Sequence, residues 1–305
     1  MISRLWNQWV SFWNRKENGT AMAGVRISIG FTLLYTFGWP WLAGASDAIW
    51  LDSDFGGIRN YHHEPWLFKL LGGASPQALY SILSAGLLSA LCLIVGIFPR
   101  IAALLGMIVI NNIAWHNILA GGGHDDLIEN ILWILVFTDS ASTYSLRAKI
   151  KTGHWRTDRE ISTWPRYLLL IQLITMYTST GWQKLSSHWI PFGDMDALWY
   201  ILQQPTWARI DMQWFAPYAW TTQCAVFFVW FFEAFAPLIF LLLYFENTPE
   251  KGGKLRTLAN RVPWRRLFCI FGISMHCVIS LGMVIGPFSF ASLAIYFAFI
   301  PPKKK

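Results

Sequence analysis

The sequence predicts an all-α polytopic membrane helix bundle of about eight spans with both termini cytoplasmic. Three observations carry this. Only 13% of the 305 residues are charged and 54% are hydrophobic, whereas soluble domains carry about 25% charged residues. Apolar runs close to the roughly 20 residues that cross a bilayer recur along the whole chain. The cations sort by segment, as the positive-inside rule requires.

Ile2, Leu5, Trp6, Trp9, Val10 and Trp13 recur at helical spacing, so residues 1–20 are expected to form an amphipathic helix on the membrane surface. Asn7, Asn14, Arg15, Lys16 and Glu17 interrupt any signal-peptide core. Spans are then expected over 21–42, 77–97, 101–119, 126–144, 165–185, 218–245, 267–281 and 282–300. Gly282, Gly286 and Pro287 leave the last turn open, so seven spans or a re-entrant eighth are both compatible with the sequence. Residues 21–300 read as one membrane domain, followed by a basic tail over 301–305. With the N-terminus inside, all of the 24 cations except Arg26, Arg59, Lys69, Lys184 and Arg209 fall in cytoplasmic segments. One missed span would destroy that sorting downstream. The net charge of +7 is therefore assigned to topology, and no nucleic-acid partner is expected. Cys92, Cys224, Cys269 and Cys277 all lie in apolar runs without a CxxC spacing, as buried thiols do. Two long outer segments, about 43–76 and 186–217, are rich in Trp, Tyr and Phe and are expected at the interface.

Ionisable residues within spans are costly and mark functional candidates. Lys184 ends the fifth run on the outer side. It either snorkels to the headgroups or, desolvated, becomes an amine base near neutral pH. Gly121-Gly122-Gly123-His124-Asp125-Asp126 joins spans three and four on the same side, and Asp125 or Asp126 is a candidate N-cap. Asp126, Glu129 and Asn130 share one helical face, which is expected to point into the bundle. His276 lies toward the outer end of span seven with Ser280 one turn on. Arg26, Glu233 and the polar groups Asn111, Asn112, His116 and Asn117 read as glue between helices. Arg26 and Glu233 are free to pair with each other or with other polar groups. His62-His63-Glu64 reads as a solvated loop, and no metal site is expected. No P-loop, GxSxG elbow, HExxH or dinucleotide fingerprint is present.

Thr180-Gly181-Trp182-Gln183-Lys184-Leu185, followed by Trp189 and Gly193, resembles the signature of the HTTM domain, the membrane domain of vitamin K-dependent gamma-carboxylase and its bacterial relatives. Gly123-His124 through Asp139 to Tyr144-Ser145 resembles the family's fourth-helix segment. Met275-His276-Cys277 with Phe288-Ser289-Phe290 resembles its seventh-helix segment, and Arg26 fits the first. The resemblance implies Lys184 as the base toward a reduced, vitamin K-like quinone, with oxygen and carbon dioxide as co-substrates. It implies supporting roles for His124 and His276. Asp125, Asp126, Glu129 and Asn130, which fall with them toward one side of the membrane, and Trp189 of the motif are candidates for substrate binding or support. The substrate implied is a glutamyl peptide, and the setting a bacterial cytoplasmic membrane. In the carboxylase a large lumenal domain follows the membrane part. Here Lys305 comes directly after the last span, so a partner protein is expected to supply that function.

Three readings follow. The first is a quinol-using, peptide-modifying enzyme of lyase type. The second is a non-carboxylating component of a peptide-toxin maturation, export or immunity system, of the kind that matures the sporulation-delaying protein. The third is a transporter with Glu129, Asn130 and Glu233 along its path, against which stands the lack of a visible inverted repeat.

Overall fold

In the computed structural model, residues 2–58 and 64–301 are described. In chain order they form α1 (Ile2–Trp13), β1 (Lys16–Asn18), α2 (Thr20–Leu42), α3 (Ser46–Trp50), α4 (Trp66–Leu70), α5 (Pro76–Val95) and α6 (Pro99–His116). Then come α7 (Gly123–Val136), α8 (Leu146–Thr152), β2 (Glu160–Ser162), α9 (Trp164–Gln183), α10 (Ala197–Leu202) and α11 (Trp220–Ala234). The chain closes with α12 (Leu238–Asn247), α13 (Lys254–Ala259), α14 (Trp264–Gly282) and α15 (Phe288–Tyr296). His62, His63, Arg59 and the tail lysines lie outside the described residues.

Each of the eight apolar runs folds as helix, the sixth as a pair. Among the described residues, α2, α5 and α14 are long and apolar enough to cross a membrane, and the bent pair α11–α12 makes a fourth if it is one span. Length and composition together thus give fewer spans than the eight expected, since α6 and α9 are long enough but less apolar. At 1.5 Å per residue the 14 residues of α7 reach only about 21 Å, against a hydrocarbon core of about 30 Å. This helix was expected to run to residue 144 and stops at Val136. The stretch beyond it is polar, and its side chains bond locally instead of extending a helix. Thr138 Oγ1 donates to the Ile134 carbonyl at 2.5 Å, and Asp139 pairs with Arg147 at 2.7 Å.

The chain separates into two compact units, residues 1–169 with 286–305, and residues 170–285. In the first, α2 packs on α5 and α15, α5 on α6, and α6 on α7. Met22, Val25, Ile29, Leu33 and Phe37 make the buried stripe of α2. Arg26 lies in the same stripe, fully buried. It does not pair with Glu233. Its guanidinium donates to the carbonyls of Leu93, Ile94 (3.1 Å), Tyr144 (2.6 Å) and Ser140 (3.2 Å). Leu93 and Ile94 belong to the last turn of α5, whose carbonyls have no intrahelical partner. Gly96 ends that helix at φ +76, a left-handed conformation that glycine takes without strain. Arg26 therefore caps α5 from inside the bundle, where a cation also meets the negative end of the helix dipole.

The segment between α2 and α5 is held across the end of α6. His116 Nε2 lies 2.9 Å from the Trp50 carbonyl and its ring stacks on Phe68, while Asn117 donates to the Ile49 carbonyl at 2.8 Å. Asn112 accepts from the Leu67 N–H at 3.1 Å. These side chains are glue, but they fasten a loop as much as a helix. Glu64 takes the Ala74 N–H at 2.7 Å.

Residues 1–20 are not one helix. α1 ends at Trp13 and leaves Trp6 and Trp9 exposed, and β1 then pairs antiparallel with β2. Arg166, counted among the cytoplasmic cations from sequence, is buried. It donates from Nε to both Glu17 oxygens at 2.7 and 2.9 Å. Burial raises the Glu17 carboxyl above its ordinary range, against the opposing pull of Arg166.

In the second unit α10 packs on α11 and α12 on α14. α11 and α12 meet at a 63° bend. On α14 only Gly272 and His276 are buried, while Leu267, Ile270, Val278 and Leu281 stand exposed. An apolar exposed face suits contact with lipid.

Arg26→Met should remove the cap of α5 and leave its carbonyls unmatched, at about 1–3 kcal/mol. Thermal unfolding of the purified protein in detergent should show a lower midpoint than wild type, and Arg26→Lys should recover only part of it, because an ammonium lacks the guanidinium fork.

Candidate functional site

Lys184 follows the last turn of α9, and its surroundings are set by how that turn meets α11. Gly181 is buried where α9 touches α11: a Cβ there would lie 2.6 Å from the Ala234 nitrogen and 2.9 Å from the Glu233 carbonyl carbon. Neither is a flexible side chain, so only glycine permits the approach. One residue on, Trp182 Nε1 donates to the Ala234 carbonyl at 3.1 Å. That acceptor is available because α11 breaks here. Pro237 has no N–H, and Leu238 N–H bonds to the Phe235 carbonyl instead. In return Trp230 Nε1 on α11 donates to the Lys184 carbonyl at 3.3 Å.

These three contacts place the Lys184 ammonium directly on the Glu233 carboxylate. The lysine side chain is 21% exposed and the glutamate 9%. Trp189 closes the other side, its ring centroid 4.8 Å from Nζ. An ion pair and a cation–π contact are the contacts of a charged amine. For Lys184 to act as a base, its proton has to leave, and Glu233 is the group in contact to receive it. Sequence reasoning had treated Glu233 as structural. It is the direct partner of the candidate base.

His276 is buried on α14, with Nε2 2.7 Å from the Tyr177 hydroxyl. Tyr177 was not singled out from sequence. Its signal is spacing: Tyr177, Gly181 and Lys184 are at i, i+4 and i+7, one stripe of α9. Phe232, the neighbour of Glu233, packs on Tyr177 at 5.2 Å and on Phe268 at 4.7 Å. Two polar pairs thus lie on one stripe of α9, about two turns or ~10 Å apart along the axis. Ser280 turns to the Cys277 carbonyl at 2.9 Å.

His124 and Asp125 belong to the first unit. Asp125 is buried and takes the Gly122 N–H on Oδ2 at 2.8 Å; the N-cap is Gly122, so the carboxylate closes the first turn from the third helical position instead of standing at the N-cap expected for Asp125 or Asp126. His124 Nε2 lies 3.4 Å from the other Asp125 oxygen. The expected inward stripe of Asp126, Glu129 and Asn130 is not formed. Asp126 and Asn130 are exposed, and only Glu129 is half-buried, where Asn111 donates to it at 3.1 Å. The inward position at the start of α7 goes to Asp125, because the cap turns it back toward Gly122. Among the described residues, no three His, Cys, Asp or Glu side chains come together as a metal site.

Gly181→Ala should force the α9–α11 contact apart and cost about 1–3 kcal/mol despite alanine's better helix propensity. Gly123→Ala, where a Cβ meets nothing within 4 Å, is the control, and comparison of the two melting midpoints in detergent checks it. No curated protein and no solved structure matches the chain significantly. The family model described as the HTTM domain matches residues 14–252, which takes in His124, Lys184 and Glu233 and ends before His276. With most of its length matched and its apolar helices suited to a bilayer, this chain is an integral membrane protein of the carboxylase-related HTTM family.

Proposed function

We propose that the chain is a quinol-using enzyme that modifies a peptide at an outward-facing site on the second unit, with Lys184 as base and Glu233 as the group that takes the lysine's proton. The observation that carries this reading is the Lys184–Glu233 contact at the edge of the membrane run, framed by Trp189. A lysine ready to act needs a place to send its proton away from water. A reduced quinone, when bound, would supply the acidic hydroxyl and the reducing power, with oxygen and carbon dioxide as co-substrates. The fit rests on the donor set: a partly exposed amine beside an aromatic face, with Trp182, Leu185 and Phe192 exposed in the adjoining chain. A flat, lipid-soluble ring can lie on such a surface. Lys184 would then take the hydroxyl proton, Glu233 would hold the amine in place, and Tyr177 would fix the His276 ring. A peptide substrate, or a small protein partner that presents one, completes the reading.

The finer topology belongs to the same proposal. Eight membrane segments with both termini inside a bacterial cytoplasmic membrane account for the sorting of cations, with α7 and α15 spanning only part of the bilayer. A second reading is favoured by one specific observation. Lys184 is already satisfied by Glu233 and Trp189, as a structural pair would be, which suits a non-catalytic component of peptide-toxin maturation, export or immunity.

Purified protein in nanodiscs, given reduced quinone, bicarbonate and a glutamyl peptide, should form quinone epoxide. Lys184→Ala should reduce that at least 100-fold, the lower range for loss of a general base, and Glu233→Gln should reduce it while Gln223→Ala leaves it intact. Full epoxidation by Lys184→Ala would sink the enzyme reading, and the structural reading would stand. For the topology, single cysteines at Ser187 and Ser162 in a background lacking the four native cysteines should label from outside and from inside respectively. Labelling of both from one side would remove the eight-segment arrangement.

A further inference from the structure

Away from these residues, a cavity of about 270 Å³ opens in the first unit. Its wall brings together Lys16 of β1, Arg100 in the first turn of α6, Arg159 just before β2, and Trp164 at the start of α9. The three cations are exposed. Two carboxylates also face the cavity, Asp139 and Glu160. Asp139 is held by Arg147 at 2.7 Å and by Arg159 at 3.3 Å. Lys16 and Arg100 make no ion pair among the described residues, so a surplus of positive charge remains there. Two long helices, α6 and α9, begin at this cavity. Their first-turn N–H groups have no intrahelical partner, and each start carries the positive end of a helix dipole.

The geometry points to a binding site for a phosphate-bearing headgroup, with an anionic glycerophospholipid as the occupant. Size supports this: the volume falls just below the roughly 300 Å³ of the smallest drug-sized sites, which suits a headgroup and not a whole quinone. Position supports it as well. α1, with Trp6, Trp9 and Val10 exposed, ends three residues before Lys16. A helix that lays aromatic side chains into a bilayer surface delivers the next cation to the headgroup layer. Free phosphate shares the same chemistry, and the experiment separates the two sources.

Full-length protein in neutral detergent is titrated with short-chain phosphatidylglycerol, phosphatidylcholine or inorganic phosphate, and bound ligand is counted by native mass spectrometry. Phosphatidylglycerol should bind in preference to phosphatidylcholine. A cation near an anionic membrane contributes about 1 kcal/mol, so the double variant Lys16→Gln/Arg100→Gln should bind about 30-fold more weakly. Lys149→Gln/Lys151→Gln on α8 makes the same charge change outside the cavity and should retain binding within about twofold. Displacement of the lipid by equimolar inorganic phosphate would keep the anion site and assign it to soluble phosphate. Equal binding of both lipids, equal binding by wild type and the cavity variant, or an equal loss in the α8 variant overturns the proposal. Unchanged far-UV helical content in both variants ensures that lost binding is not lost fold.

Discussion

Backbone carbonyls left open where a helix ends inside apolar surroundings must find donors, and that constraint organises each unit of this protein. In a medium without water every unmatched polar group costs several kcal/mol. The chain answers with long side chains carried by a neighbouring helix. In the first unit Arg26 of α2 reaches the end of α5 and the turn after α7, so one residue fixes three segments. In the second unit Trp182 reaches the break at Ala234. Both donors are long, apolar in their body and end in a planar N–H-bearing group, which lets them cross a packed interface and still deliver an N–H.

The candidate site inherits its geometry from this second solution. Gly181 permits close approach, Trp182 uses the open carbonyl, and Lys184 is thereby carried to Glu233. The segment over residues 180–185 is thus a helix-contact device before it is anything chemical. A carboxylate one residue before the broken carbonyl and a lysine two residues after the tryptophan are consequences of the same register. Tyr177 repeats the arrangement deeper along α9 with His276 of α14 as its partner.

Much of the fold was legible in the sequence, because apolar runs and turn residues report helices directly. All eight runs became helix, and the boundary around Gly282 to Pro287 resolved with α14 ending at Gly282 and α15 starting at Phe288. The bend in the sixth run had a visible cause in Pro237, yet run length alone read it as continuous. Residues 137–144 were read as the end of a span, but they are mostly polar: Thr138 turns back to the Ile134 carbonyl, Asp139 pairs with Arg147 and Arg159, and Thr143 takes the Thr157 N–H, so the helix ends early. At the site, Lys184, His124 and His276 stood out because charge and imidazole are rare in such runs. Their partners did not stand out. Glu233 is 49 residues from Lys184 and Tyr177 is 99 from His276, and no local spacing encodes a pairing across helices. The asymmetry between Asp125 and Asp126 was equally hidden, since adjacent positions differ only in which side of the turn they face.

The 63° break between α11 and α12 has a mechanical consequence. A continuous helix transmits displacement along its hydrogen-bond ladder, whereas a ladder missing rungs at Pro237 behaves as two rods on a pivot. The two rods are held from different sides: α9 grips the end of α11 through the Trp182 indole and the Lys184–Glu233 pair, while α12 rests on α14. Each half therefore keeps its own packing partner, and a substitution that loosens the α9 contact acts on α11 without being carried along a shared ladder into α12.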